Sequence, residues 1–133
     1  HADGQSTFVG GGTFNYACGQ GSIVVGGYNM FTYCNIATGI NATIVGGTRN
    51  NAAGDCSFIG GGRTNTANSG NSTIAGGSSN TATGNNSFIG GGFFNTTCTN
   101  CSVVGGGMLN ISSGATSNSY TASDGMQILV INA

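Results

Sequence analysis

Side chains equipped for catalysis are scarce in this sequence, and their spacing works against the common mechanisms. The single histidine is His1, at the chain terminus, so a Ser/His/Asp or Cys/His arrangement would have to draw its base from the chain end. The aspartates, Asp3, Asp55 and Asp124, stand far apart, and only Asp55 lies within the regular part of the chain. Paired-carboxylate hydrolysis therefore lacks partners. Glycine runs such as Gly10-Gly11-Gly12 resemble phosphate loops, yet they recur along the chain and no Gly-Lys-Ser/Thr follows any of them. Six Asn-x-Ser/Thr matches, at Asn41, Asn71, Asn85, Asn95, Asn100 and Asn110, arise mostly from composition and carry little weight as glycosylation sites. The expectation is a protein that is not an enzyme, with no catalytic residue, no cofactor and no metal site.

Composition narrows the class further. A chain of 133 residues suits one fold unit. Its charged residues are Arg49, Arg63 and the three aspartates, which is neither the basic footprint of a nucleic-acid binder nor an acidic tail. Glycine supplies 27 residues and proline none, unlike collagen. Ile, Val and Phe recur at fixed positions, unlike disorder. Strong helix formers are few and Asn, Thr, Ser and Gly dominate, so strand and turn are expected. No stretch approaches the roughly eighteen apolar residues of a membrane span, so a soluble chain without membrane insertion is expected. A start at His1 reads as a processed, partial or tagged chain with any export signal out of view.

The elements follow from an internal repeat. A glycine pair ends at Gly12, Gly27, Gly47, Gly62, Gly77, Gly92 and Gly107, at spacings of 15 with one of 20. Three residues earlier stands a β-branched aliphatic in every copy: Val9, Val24, Ile44, Ile59, Ile74, Ile89 and Val104. Three residues later in most copies comes Asn15, Asn35, Asn50, Asn65, Asn80, Asn95 or Asn110, then a small residue two further on. Alternation in Ser57-Phe58-Ile59 and Asn65-Thr66-Ala67 has the period of a strand. Each unit offers two short strands and two glycine-assisted turns, too little chain for a βαβ crossover.

These features predict an all-β fold: a parallel β-solenoid, or β-roll, of seven coils of about 15 residues. Residues 1–5 read as a lead-in, 6–114 as the solenoid with an insertion at 28–34, and 115–133 as a cap or the start of a following β domain. The aliphatic column forms the core, and stacked asparagines form a ladder that bonds along the axis and satisfies turn backbone. Such a core is one side-chain layer thick. Thin cores need metals, disulfides or oligomerisation, and the apolar second strand face (Phe8, Ile23, Phe58, Phe88, Val103, interrupted by Thr43 and Thr73) points to burial against another chain.

Two regions depart from the repeat and are candidates for recognition. The insertion carries Tyr28, Phe31 and Tyr33, which either pack on a neighbouring chain or cover coil one, or else form a ligand platform for neutral surfaces such as sugars. A second variable edge follows each glycine pair: Thr13-Phe14, Thr48-Arg49, Arg63-Thr64, Ser78-Ser79, Phe93-Phe94 and Met108-Leu109. Its apolar members in the first and last coils suggest either an interface or a sticky rim, with an interface preferred.

Units such as Ser57-Phe58-Ile59-Gly60-Gly61-Gly62 with Asn65-Thr66-Ala67, and Ser72-Thr73-Ile74-Ala75-Gly76-Gly77 with Asn80-Thr81-Ala82-Thr83-Gly84, resemble the head repeats of trimeric autotransporter adhesins. They are similar too to the glycine-rich repeats of phage tail fibres and mosaic trimeric adhesins. The resemblance implies a left-handed parallel β-roll, a homotrimer, and an extracellular place on a cell surface or virion fibre, with a host or prey cell-surface receptor or glycan as partner. The chain departs from the autotransporter pattern in its doubled glycine, in Asn where Ser usually opens the second strand, and in its cysteines. The competing class is an ice-binding (antifreeze) solenoid, but Thr64-Asn65-Thr66 and Thr81-Ala82-Thr83 fall in different registers.

Five cysteines lean towards an oxidising compartment, and an odd number leaves at least one thiol free or paired between chains. Cys98 and Cys101 flank a turn and are the best intrachain disulfide candidates. Cys56 and Cys101 share a column three coils apart, about 14 Å, beyond the roughly 7 Å limit. Cys18 and Cys34 meet only if the insertion folds back. Cys56 is then free or interchain.

Overall fold

The computed structural model describes residues 1–28 and 33–113, together with the backbone of two further strands at 120–121 and 127–128. Among these residues there is no helix, and the chain winds as a parallel β-solenoid of about seven coils. Strands are numbered in chain order. The first sheet stacks β1 (Phe8–Val9), β3 (Ile23–Val24), β5 (Thr43–Ile44), β7 (Phe58–Ile59), β9 (Thr73–Ile74), β11 (Phe88–Ile89) and β13 (Val103–Val104), all parallel. The second stacks β2 (Tyr16–Ala17), β4 (Ile36–Ala37), β6 (Asn51–Ala52), β8 (Thr66–Ala67), β10 (Thr81–Ala82), β12 (Thr96–Thr97) and β14 (Ile111–Ser112). Single-residue bridges join Thr48, Arg63, Ser78, Phe93 and Met108 into a further ladder between the sheets.

Period-two alternation decides what faces inward. Val24, Ile44, Ile59, Ile74, Ile89 and Val104 are fully buried, facing Ala17, Ala37, Ala52, Ala67, Ala82 and Thr97, while Val9 in the first coil is partly buried against them. Between these columns lie two buried polar ones. Ser22, Ser57, Ser72, Ser87 and Ser102 line the start of the first sheet, with Ala42 in the same column. Their burial follows from the same alternation that buries the aliphatics. The hydroxyls of Ser72, Ser87 and Ser102 donate to the carbonyls three residues back at 2.6–2.7 Å. Those of Ser22 and Ser57 meet no partner.

The asparagine column is buried throughout, and its bonding differs from a stack of amides. Asn65 Oδ1 accepts the backbone N–H of Asn80 at 3.0 Å, while its Nδ2 donates to Gly61 O at 2.9 Å and Gly77 O at 3.0 Å. Asn50, Asn80 and Asn95 repeat the arrangement. The amide is a better partner for backbone than for another amide because the turn leaves carbonyls pointing inward, where water is excluded. Across the insertion the pattern changes: Asn35 Nδ2 donates to Asn15 Oδ1 at 3.2 Å.

The second member of every glycine pair has a positive φ, whereas the first does so only at Gly11, Gly61, Gly91 and Gly106. Gly77 has φ +85°, and a Cβ there would lie 2.2 Å from Gly92 O. Gly76 before it faces open space. At the opposite turn the left-handed residue is instead Asn41, Cys56, Asn71, Asn86 or Cys101, with φ of 54–56°. Glycine takes that left-handed position only at Gly21, with φ +69°, and otherwise serves close approach, as at Gly19, Gly39, Gly54 and Gly84, where a Cβ would fall within about 2 Å of the next coil's carbonyl.

Both ends extend the stack. Ala2 bridges Ala17, His1 O accepts the Ala17 N–H at 2.9 Å, and Asp3 N–H donates to Ala17 O at 3.0 Å. The segment expected as a lead-in thus adds half a coil, His1-Ala2-Asp3-Gly4-Gln5 aligning with Tyr16-Ala17-Cys18-Gly19-Gln20. At the other end β15 (Tyr120–Thr121) pairs parallel with β13, placing Thr121 opposite Val104, and β16 (Gln127–Ile128) pairs antiparallel with β15. The pairing therefore changes sense after the last coil.

Candidate functional site

Each coil has two edges, and the insertion interrupts the one formed by the glycine pair. Tyr28 and Tyr33 bound the described part of it; Phe31 lies outside the described residues. Tyr28 is 72% exposed and Tyr33 43%, so both rings face solvent in the single chain. The following coil anchors them. Thr48 Oγ1 donates to Tyr28 O at 3.2 Å, and the Arg49 guanidinium stacks 4.1 Å from the centre of the Tyr33 ring. These contacts of the loop ends run towards coil three.

Arg49 owes its position to the turn. Residues immediately before the buried asparagines are left-handed, and they include Phe14, Arg49, Thr64, Ser79, Phe94 and Leu109, with φ of 53–60°. Bulky side chains are uncommon there. The backbone compensates: Thr64, Ser79, Phe94 and Leu109 each donate an N–H back to the preceding coil at 2.9–3.1 Å. The sequence marks this column as a variable edge but gives no sign of its left-handed backbone, because the usual glycine or asparagine is missing.

Arg63 stands beside Thr48 in the ladder between the sheets, so it sits one coil on from Arg49 and one residue out of register. Both arginines thus occupy the edge that carries the insertion. Asp55 belongs to the opposite edge, where its Oδ1 accepts the Ile40 N–H at 2.9 Å. Asp3 pairs with the His1 imidazole at 2.8 Å.

The outer face of the first sheet is apolar. Phe8, Val25, Val45, Phe58 and Phe88 are each more than a third exposed. Three of its aromatics lean along their strands over a glycine: a Cβ on Gly10, Gly60 or Gly90 would come within 2.8, 3.4 and 3.4 Å of the ring of Phe8, Phe58 or Phe88. In three coils where a smaller residue replaces Phe the second position fills, as Ile23/Val25, Thr43/Val45 and Thr73/Ala75, while Val103 keeps glycine at Gly105. A further exposed group, Phe93, Phe94, Met108 and Leu109, occupies the glycine-pair edge of the last coils, with Phe93 and Phe94 packed edge-to-face at 4.4 Å.

The cysteines stand as free thiols, four of them exposed, and Cys98 and Cys101 are unbridged. Cys56 and Cys101 occupy one column, since the N–H of Cys56, Asn71, Asn86 and Cys101 each reaches back to the previous coil in identical fashion. Among the described residues no cluster of His, Cys, Asp or Glu is arranged to hold a metal ion, and no helix is long and apolar enough to cross a membrane. No family model matches the chain, and no curated protein matches its sequence at a significant level.

Proposed function

We propose that this chain is a structural and adhesive head or tip module of a trimeric surface or virion fibre, non-enzymatic and extracellular. Its insertion edge binds a cell-surface receptor or glycan. The observation that carries the reading is the exposed apolar face of the first sheet on a chain whose core is one side-chain layer thick. Phe58 and Phe88 gain roughly 25 cal/mol per Å2 if a neighbour covers them, which a thin core needs. The number three comes from the resemblance to trimeric adhesin and tail-fibre repeats. Light scattering of the purified chain should give a trimer, and Phe58→Ser with Phe88→Ser should dissociate it. A compact monomer would overturn the fibre reading.

One observation favours the ice-binding alternative: Thr66, Thr81 and Thr96 stack in one register on the outer face of the second sheet. The column continues as Asn51 on one side and Ile111 on the other, and the next outward column holds Asn68, Thr83 and Cys98. That is a short array. Thermal hysteresis separates the two readings, and none is expected.

A further inference from the structure

We infer that the insertion edge takes an acidic saccharide, with a carboxylate or sulfate held by Arg49 and Arg63 and a sugar face laid on Tyr28 and Tyr33. The inference rests on the reading of this edge as the binding edge, and it adds the chemical class of the ligand.

Arg49 and Arg63 are the whole cationic complement of the chain, which has no lysine. Chance would scatter two such residues over seven coils. Instead the Thr48–Arg63 bridge places them on adjacent coils, one residue out of register, on the edge that carries the insertion, with Arg49 in the coil next to it. Neither guanidinium meets a carboxylate among the described residues, where His1–Asp3 is the only ion pair. An oxyanion bound at this edge would meet both positive charges without displacing a carboxylate from either.

The cation–π contact favours the same ligand. A guanidinium stacked on a ring uses its face and keeps its planar fork of N–H donors pointing outward. Stacking on Tyr33 also restrains Arg49, so less side-chain freedom is lost when those donors meet an anion. Tyr28, more exposed still, supplies a second aromatic surface beside the charges. Within the described coils the one aspartate, Asp55, is at the other turn, bonded to the Ile40 N–H.

Binding of 3′-sialyllactose, 3′-sulfolactose and lactose to the assembled protein tests the proposal. The two acidic sugars should bind about 10-fold more tightly than lactose, and the difference should shrink as salt rises from about 0.05 M to about 0.5 M. Arg49→Gln with Arg63→Gln should bring both acidic sugars down to the lactose value without changing the melting temperature, since both side chains are exposed. Preference for one acidic sugar alone, lost in that variant, identifies the acid group and supports the inference. Equal binding of all three sugars, lost on Tyr28→Ala with Tyr33→Ala, would overturn the acidic preference and leave the binding edge standing. No binding of any sugar overturns the inference; cell adhesion unaffected by the tyrosine variant would overturn the binding-edge reading as well.

Discussion

The two edges of the coil put the same kind of side chain to unequal use. At the glycine-pair edge every coil presents a buried asparagine whose amide serves backbone groups of its own coil and its neighbours. At the opposite edge exposed side chains do a similar job singly: Asp55, Asn85 and Asn100 accept the N–H of Ile40, Gly70 and Asn85 at 2.9–3.0 Å. The bond lengths match, but the surroundings do not. Water replaces the exposed bond when the side chain is lost, whereas a buried donor or acceptor left unmade costs its full desolvation. The buried column is accordingly asparagine in all seven coils, while the exposed one drifts through Gln5, Gln20, Ile40, Asp55, Gly70, Asn85 and Asn100.

This contrast can be broken at graded depths. Ile59→Asp or Ile74→Asp should abolish folding or assembly, since each puts an unpaired charge at a fully buried site with no counter-ion near. Native circular dichroism and melting in both variants would refute the coil register. Next come the glycine-pair edge positions. Asn65→Ala should cost about 3 kcal/mol in denaturant melts, one per lost bond, and Gly77→Ala at least as much, because its Cβ meets the Gly92 carbonyl at a positive φ. Gly76→Ala, one residue away in open space, should be neutral or slightly stabilising, so the pair tests whether the two glycines differ as claimed.

At the opposite edge Asn85→Ala should cost under about 1 kcal/mol. A loss equal to that of Asn65→Ala would show that exposure does not separate the edges. The smallest effect divides the serines. Ser57→Ala removes a buried hydroxyl without a partner and should be neutral to stabilising, as Ala42 in the neighbouring coil suggests. Ser72→Ala loses a 2.7 Å bond and should destabilise by about 1 kcal/mol. Identical melting temperatures would mean that these hydroxyls are equivalent.

Much of the fold was legible because a fifteen-residue period repeats its own evidence. Val24 or Ile44 alone says little; a β-branched residue at one position of every unit marks an inward column, and alternation then assigns Ser57 and Asn65 to the interior as well. The half-coil at His1–Gln5 escaped because it carries only the Ala-x-Gly end of the unit, without aliphatic or glycine pair. The candidate site was legible only as a place. An insertion with Tyr28 and Tyr33 marks an exposed edge, but the stacking of Arg49 on Tyr33 spans sixteen residues and two coils, outside any local pattern.

The sequence by itself determined the period, the parallel stacking and the buried columns, since identical units of this length satisfy their backbone groups by pairing each with the next. Tertiary structure alone decided what each polar group bonds to. The asparagines hold mainly backbone N–H and carbonyl groups, which the turn at Gly77 aims inward at a point set by its φ, and they bond one another only at the ends of the column, Asn35 to Asn15 and Asn110 to Asn95. It also decided which charges are neighbours. Arg49 and Arg63, fourteen residues apart in the chain, come side by side only because one coil returns the backbone almost to its starting point.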